Sequence, residues 1–455
     1  MRLSLAQRRE KEIEGDLRVH AWTPAGFVSA GLLHLEEDGE RISASFSYDQ
    51  DYLDAALSYP LDPINMPLKP GGVATTSQFV RLGAIFDAAP DAWGRRVVTA
   101  QIPEDARRRV LRNAFLRGAD GIGAIVLTPQ SMTAPGDLQH IVEWSLQERP
   151  ALSQVHLAAR AARALERGVS VTDEMRHMLS GSWTIGGARP KAILRDDRPG
   201  SIAGQSLIAK FDSTSDVVPR NRIEAACLDM AADMGFSVPW HDLVDLEDGT
   251  TALLLERFDR EVRDGKVHRR HYVSALSLAS YEPQSRFLDS AMDRAVLSWG
   301  KLLELASRVC ARPHAARVEM FARLALNAAF RNTDDHLKNF AFLKMADSAL
   351  HYEIAPVFDV SSQNAQRHYL HCAGLGQVYS LQEVIPLARN FGVSKAAATE
   401  IEERIVQVME SAANYLDARG MAREEREQVL EWVRDGLGHR YSAHTPTASV
   451  NRQAP

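Results

Sequence analysis

Between Arg331 and Leu343 the chain reads RNTDDHLKNFAFL: two adjacent carboxylates, an imidazole, a lysine and an amide stand between apolar flanks. Upstream, MFARLALNAAF carries helical periodicity that stops at Arg331, and downstream FAFL reads as a strand. The charged residues therefore form a loop between two packed elements, so the fold must bury a helix and a strand on either side of it. A chain of 455 residues with a hydrophobic fraction of 45% can build such a core, as two or more domains or as one large two-lobed one. Lys+Arg 53 against Asp+Glu 59 gives a formal charge of -6, so electrostatics alone offers no case for a nucleic-acid or anionic-membrane binder, local basic patches aside. Cys227, Cys310 and Cys372 lie far apart without CxxC spacing, which argues against a disulfide framework or a zinc knuckle and makes the reduced cytoplasm the natural compartment. The N-terminus, MRLSLAQRREKEIEGD, lacks the apolar run of a signal peptide, and no later stretch approaches a bilayer-spanning length, so no membrane partner is expected.

Along the chain, β-type runs (LRVHAW, GFVSAGLLHL, RISASFSY) lead into a Pro-punctuated segment and helix-like patterns, predicting a small α/β module that ends with GADGIGAIVLTP, a glycine turn feeding a buried strand. LQHIVEWSLQ and VHLAARAARALERG predict a helical connector. Strands return from Ser180 to about Phe258, and beyond Ser274 the pattern is mostly helical until Leu437. The end, YSAHTPTASVNRQAP, reads as a loose tail. The expected divisions are residues 1–134, 135–258, 259–440 and 441–455.

The chemistry-bearing loop has a recognisable spacing. Asp334 and Asn339 stand five positions apart, as do the aspartate that orients a substrate hydroxyl and the asparagine that holds magnesium in protein-kinase catalytic loops. Lys338 would place positive charge beside a transferring phosphoryl group. Equally, Asp334 could cap a helix end while His336 and Asn339 satisfy loop backbone. In HYEIAPVFDVSS, Asp359 follows at the place of the metal-binding aspartate, although an Asp before Ser-Ser also starts turns. SGSWTIGGARPKAIL supplies Gly186 and Gly187, whose N–H groups could approach phosphates, then Lys191; a glycine hairpin would explain the same residues. SLIAKFD sets Lys210 on an apolar strand, pointing opposite to Ala209 and Phe211, as an edge gatekeeper or a phosphate ligand. Ile223, Ala226, Cys227, Met230 and Met234 recur at helical spacing, predicting an amphipathic helix that ends near Gly235, with Glu224 in its first turn either favouring the helix dipole or pairing with Lys210. TALLLERFDRE then fits the strand linking two kinase lobes, where Glu256 could meet adenine, or an ordinary strand with a charged exit. The order of these parts is that of a two-lobed protein kinase.

The chain resembles the HipA family of bacterial serine/threonine kinases, toxins of type II toxin–antitoxin modules, over nearly its whole length. FSYDQDYLDAALSYPLDPINMPL, FDAAPDAWGRRVV and GADGIGAIVLTP are similar to that family's N-terminal module; GGARPKAIL, NRIEAACLDMAADMGFSVP, ERFDR, NTDDHLKNFAF and APVFDVSS are similar to its kinase core. The resemblance implies an α+β, two-lobed protein-kinase-like fold with a small N-terminal α/β module and a mostly helical C-terminal lobe. It implies ATP and Mg2+ as cofactors, Asp334 as catalytic base, Asn339 and Asp359 as magnesium ligands and Lys210 as the phosphate-contacting lysine. Gly186, Gly187, Ala188, Arg189 and Lys191, with Glu256, Phe258 and His336, would line the ATP site, and the residue-level reading adds Glu224 and Lys338.

Members of that family phosphorylate protein hydroxyls, notably on an aminoacyl-tRNA synthetase, arresting translation, and are held by a helix-turn-helix, HipB-like antitoxin that carries the DNA contact. They also silence themselves by phosphorylating a serine in the glycine-rich loop. Here Thr184 occupies the matching position, with Ser180 and Ser182 nearby as further candidates. Asp335 is one carboxylate more than the chemistry needs, and catalysis falls to Asp334 by its five-residue step to Asn339. Two rival readings share these residues: a small-molecule kinase, and a non-catalytic module binding antitoxin or operator.

Overall fold

A computed structural model describes residues 15–441 apart from 40, 78–79, 118–120, 133–137, 139–148, 183–185, 203, 283–289 and 347–349. The expected loose tail beyond Tyr441, Thr184 and most of LQHIVEWSLQ lie outside the described residues, while Tyr441 itself is buried in a short helical turn. The protein has the α+β architecture expected, with antiparallel sheets followed by a mostly helical C-terminal part.

The first three β-type runs form β1 (Leu17–Thr23), β2 (Gly26–Asp38) and β3 (Arg41–Tyr48), joined by β4 (Gly72–Thr75) and β5 (Ile125–Pro129) in an antiparallel sheet of order β4-β3-β2-β1-β5. Its alternate residues, among them Leu17, Val19, Leu33 and Phe46, are buried against Tyr52, Tyr59 and Phe86. A second sheet of order β6-β7-β9-β8 contains β6 (Lys191–Arg195), β7 (Ser206–Phe211), β8 (His241–Asp245) and β9 (Thr251–Glu256). Period-two alternation gives it two different faces. Ala209, Phe211, Ala252 and Leu254 pack under α1 (Ala92–Gln101) and α2 (Val155–Glu166), while Leu253 and Leu255 pack against α3 (Arg220–Asp233). The N-terminal residues thus supply α1 to the roof of the second sheet.

Helix α3 differs from the amphipathic expectation. It lies between the second sheet and the C-terminal helices, so nearly every side of it from Asn221 to Ala231 is buried, Glu224 included. Gly235, at φ +85°, ends it where a left-handed residue is needed.

The hairpin β10 (Arg260–Arg263) and β11 (Lys266–Arg269) leads to a small sheet of β12 (Tyr272–Ser274), β13 (Ala341–Lys344) and β14 (Tyr352–Ile354). Around it gather α4 (Trp299–Val309), α5 (Pro313–Phe330), α6 (Lys395–Met409) and α7 (Arg423–Leu437), which share one large core with α3. Helix α5 stops where its periodicity stops: Arg331 is left-handed at φ 53° and donates its N–H to Ala328 O at 3.0 Å. None of the described helices is long and apolar enough to cross a membrane.

Candidate active site

The loop after α5 is held by its own amides. Asn332 Nδ2 donates to Asn327 Oδ1 at 2.6 Å, and Tyr369 N–H donates to Thr333 O at 3.0 Å. The two adjacent acids then part company. Asp335 is completely buried and its carboxylate accepts from Tyr369 N–H (2.7 Å), Leu370 N–H (3.2 Å), Tyr379 Oη (2.9 Å) and Trp299 Nε1 (3.2 Å). A fully solvated-out carboxylate survives only with such a set of donors. Asp335 is therefore the bolt between the loop and the 369–379 segment. Asp334 points the other way, 57% exposed, 3.8 Å from His336 Nε2. Partial enclosure raises its carboxyl, His336 opposes that, and the Asp359 carboxylate adds to it. Asn339 donates its amide to Asp334 O at 2.7 Å, which leaves its own carbonyl oxygen as an acceptor.

Lys210 lies on the α3 side of β7, as its alternation requires, and its ammonium sits 2.6 Å from Glu224 Oε1 and 2.6 Å from Asp359 Oδ1. Burial alone would deprotonate Lys210, but the two carboxylates outweigh it and raise its pKa well above the ordinary value. Asp359 is only partly enclosed; enclosure works against its ionisation, yet Lys210 and Lys191 hold its carboxyl far below the usual range. Its backbone is left-handed at φ 56°, a conformation Asp tolerates better than most residues.

Lys191 is the register partner of Lys210 on β6. Its ammonium donates to Gly186 O, and desolvation brings it down to about 8, with Lys210 adding to the fall and Asp359 opposing it. Gly187 takes φ +104°, a backbone conformation that L side chains rarely adopt, and a Cβ there would press on Lys191 Nζ at 2.6 Å.

These groups share a cleft of about 130 Å³. One end is apolar, with Ile122, Ile208, Leu255, Phe258, Tyr272 and Phe358, and ring centroids of Phe258 and Phe358 are 5.1 Å apart. The other end is polar, with Gly186, Gly187, Lys191, Lys210, His336, Lys338, Asn339 and Asp359, and Glu256 stands at the strand exit. Of the expected set, Glu224 stands behind Lys210, Asp334 stands beside His336, and Ala188 and Arg189 are not among the lining residues. The Arg189 guanidinium instead grips Asp216 with two hydrogen bonds. Ser182 accepts Ile193 N–H at 3.1 Å and is fully buried; the Ser180 hydroxyl oxygen is also buried.

Asn339 and Asp359 each keep an oxygen turned to neither Asp334 nor Lys210, a hard-oxygen pair that suits magnesium, which needs few protein ligands when phosphates supply the rest. Among the described residues no three carboxylates, imidazoles or thiolates gather into a dedicated metal cage.

The residue reading missed Asp87, Asp91, Ile122 and Tyr272, all lining the cleft. The first three come from the N-terminal module, more than 200 residues from the loop of Asp334, and the conspicuous acids in FDAAPDAWG signalled only Asp87 and Asp91. ERFDR splits in role. Glu256 and Phe258 face the cleft, whereas Arg257, Asp259 and Arg260 clasp the Gly121–Gly123 turn: Gly123 N–H donates to Asp259 at 2.6 Å and both arginines donate to Gly121 O.

A Haemophilus influenzae protein described as a putative kinase is 23% identical over 185 residues, 39% of this chain and 52% of its own length, so the chain spans about half of that relative. The HipA of Shewanella oneidensis MR-1, solved with HipB and its operator DNA, superposes with a TM-score of 0.61 at 18% identity, covering 92% of this chain and 96% of that one, a likeness of fold. Residues 183–413, just over half of the chain and the stretch that carries Lys191, Lys210, Glu224, Asp334, Asn339 and Asp359, match the family model described as the HipA-like C-terminal domain, and the chain belongs to that family.

Proposed function

We propose that the chain is an ATP- and magnesium-dependent kinase of the HipA type that phosphorylates a serine or threonine hydroxyl on a protein. The observation that carries this reading is the meeting of Glu224, Lys210 and Asp359 at 2.6 Å intervals in a cleft that also receives Asn339, with Asp334 beside it. In the proposed reaction Asp334 orients the acceptor hydroxyl and takes its proton as the oxygen bonds to the γ-phosphorus. The bond from that phosphorus to the bridging oxygen breaks, and ADP leaves with the electron pair. Lys210, fixed by Glu224, and Lys191 and Lys338 face the phosphates. Asn339 and Asp359 would hold magnesium, which when bound neutralises phosphate charge.

The same reading includes an antitoxin of the HipB kind as partner, with DNA contacted mainly through it, by analogy with the Shewanella complex and in keeping with this chain's charge of -6. A protein substrate such as an aminoacyl-tRNA synthetase, and a cytoplasmic location, belong to it too. Phosphorylation of Ser180 or Ser182 requires the buried segment around them to come out of its seat; Thr184 remains the third candidate.

The deciding experiment compares the phosphoproteomes of cells expressing the chain and its Asp334→Ala variant. New phosphoserine or phosphothreonine sites should depend on Asp334. Equal labelling by both proteins would end the assignment, and transfer only to small molecules would favour the small-molecule kinase.

A further inference from the structure

One side chain that closes the cleft comes from the N-terminal module. Asp91 precedes α1 and reaches between the two walls: one carboxylate oxygen accepts Gly187 N–H at 2.8 Å, and the other accepts the Lys338 ammonium of the catalytic loop. Trp93 secures the same turn, donating its N–H to Gly187 O at 3.2 Å and its indole N–H to Lys191 O at 2.9 Å. The glycine turn is moulded on this carboxylate, since a Cβ at Gly186 would lie 2.9 Å from Asp91 Oδ2. The enclosed space, about 130 Å³, falls below the roughly 300 Å³ at which small-molecule pockets begin. A backbone N–H in a glycine turn and an ammonium are the donors that phosphate oxygens take.

We infer that Asp91 is a positioning residue that stands in for phosphate: it clasps the glycine turn to the catalytic loop and yields Gly187 N–H and Lys338 to the phosphates of an entering nucleotide. The inference rests on the nucleotide reading of the cleft. After the exchange a carboxylate remains beside the phosphates and repels them, so Asp91 weakens binding of the polyphosphate and leaves that of the base untouched.

The test uses the full chain, calorimetry with ATP, ADP and adenosine, and hydrogen exchange of residues 186–191 without nucleotide. Asp91→Asn should bind ATP about tenfold tighter, a change of roughly 1.4 kcal/mol, and adenosine as before. Asp91→Ala should speed amide exchange in the glycine turn. Weaker or unchanged ATP binding by the Asn variant, or unchanged exchange in the Ala variant, overturns the inference. A wild-type protein that binds none of the three ligands defeats the kinase reading instead, and the exchange measurement, which needs no nucleotide, still decides whether Asp91 holds the turn.

Discussion

Lys191 and Lys210 stand directly opposite each other on adjacent antiparallel strands, two buried ammonium groups in one register pair. Like charges so placed destabilise a sheet unless anions are brought to them. Glu224 and Asp359 answer Lys210, and Asp359 is shared electrostatically with Lys191.

The pH response of ligand binding follows from Lys191. Desolvation lowers it from 10.5 to about 8, so it is charged at pH 7 and mostly neutral at pH 9, whereas Lys210, shifted upward, stays charged. ATP affinity should fall as pH rises through 8, by up to about tenfold per unit above the midpoint. Titration calorimetry at pH 7 and pH 9 checks this, with Lys191→Arg expected to flatten the profile. The same shift makes folding stability rise between pH 8 and 10.5, where the unfolded chain binds more protons than the native one.

Removing Lys210 should leave Glu224 and Asp359 facing each other. Lys210→Met is expected to lose about 3–5 kcal/mol in urea denaturation. Adding Glu224→Gln should restore part of that loss, because the penalty comes from uncompensated charge rather than missing volume. A double variant less stable than the single one contradicts this account.

Two neighbouring acids should behave oppositely. Asp335→Asn places amide hydrogens against two of the four donors and should cost about 2–4 kcal/mol with early thermal unfolding. Asp334→Asn, at an exposed position, should unfold like wild type and lose phosphoryl transfer. Equal melting temperatures for the two variants would show that Asp335 is not the bolt described above.

Asp259 is buried between Arg257 and Arg260, which overcome its burial and hold its carboxyl down to about 2. A depressed carboxyl stabilises above its unfolded value of 3.8 and loses that contribution as pH falls toward 2. Asp259→Asn should cost about 3–5 kcal/mol at pH 7, because two guanidiniums lose their buried partner. Limited proteolysis should then open the chain around Gly121–Gly123 before other regions.

What could be read from the sequence was set by short-range periodicity. The end of α5 at Arg331, the placing of Lys210 on the face opposite to Ala209 and Phe211 and the extent of α3 each follow from apolar spacing within a dozen residues. The Asp-x4-Asn step was legible too, since it lies within one loop. The division of labour between Asp334 and Asp335 was assigned by spacing, but the reason for the second acid was hidden: its donors sit at 299, 369, 370 and 379. Asp91 was illegible for the same reason, as no local pattern pairs it with residues 187 and 338. The amphipathic expectation for α3 failed because a helix covered on its outer side by α6 and the helix Ala412–Ala418 has little solvent face to reveal.

Asp87 ties the N-terminal module to the core by accepting Ser274 N–H, Ser274 Oγ and Ser277 Oγ, while Asn65 donates to Ser277 O and His271 bonds Leu61 O. Cutting the chain after the first sheet would strip partners from all of these at once and bare the upper side of the second sheet. A shortened fragment beginning near residue 150 should therefore come out of cells as inclusion bodies, and any engineering of this protein has to treat its front third as part of the machine.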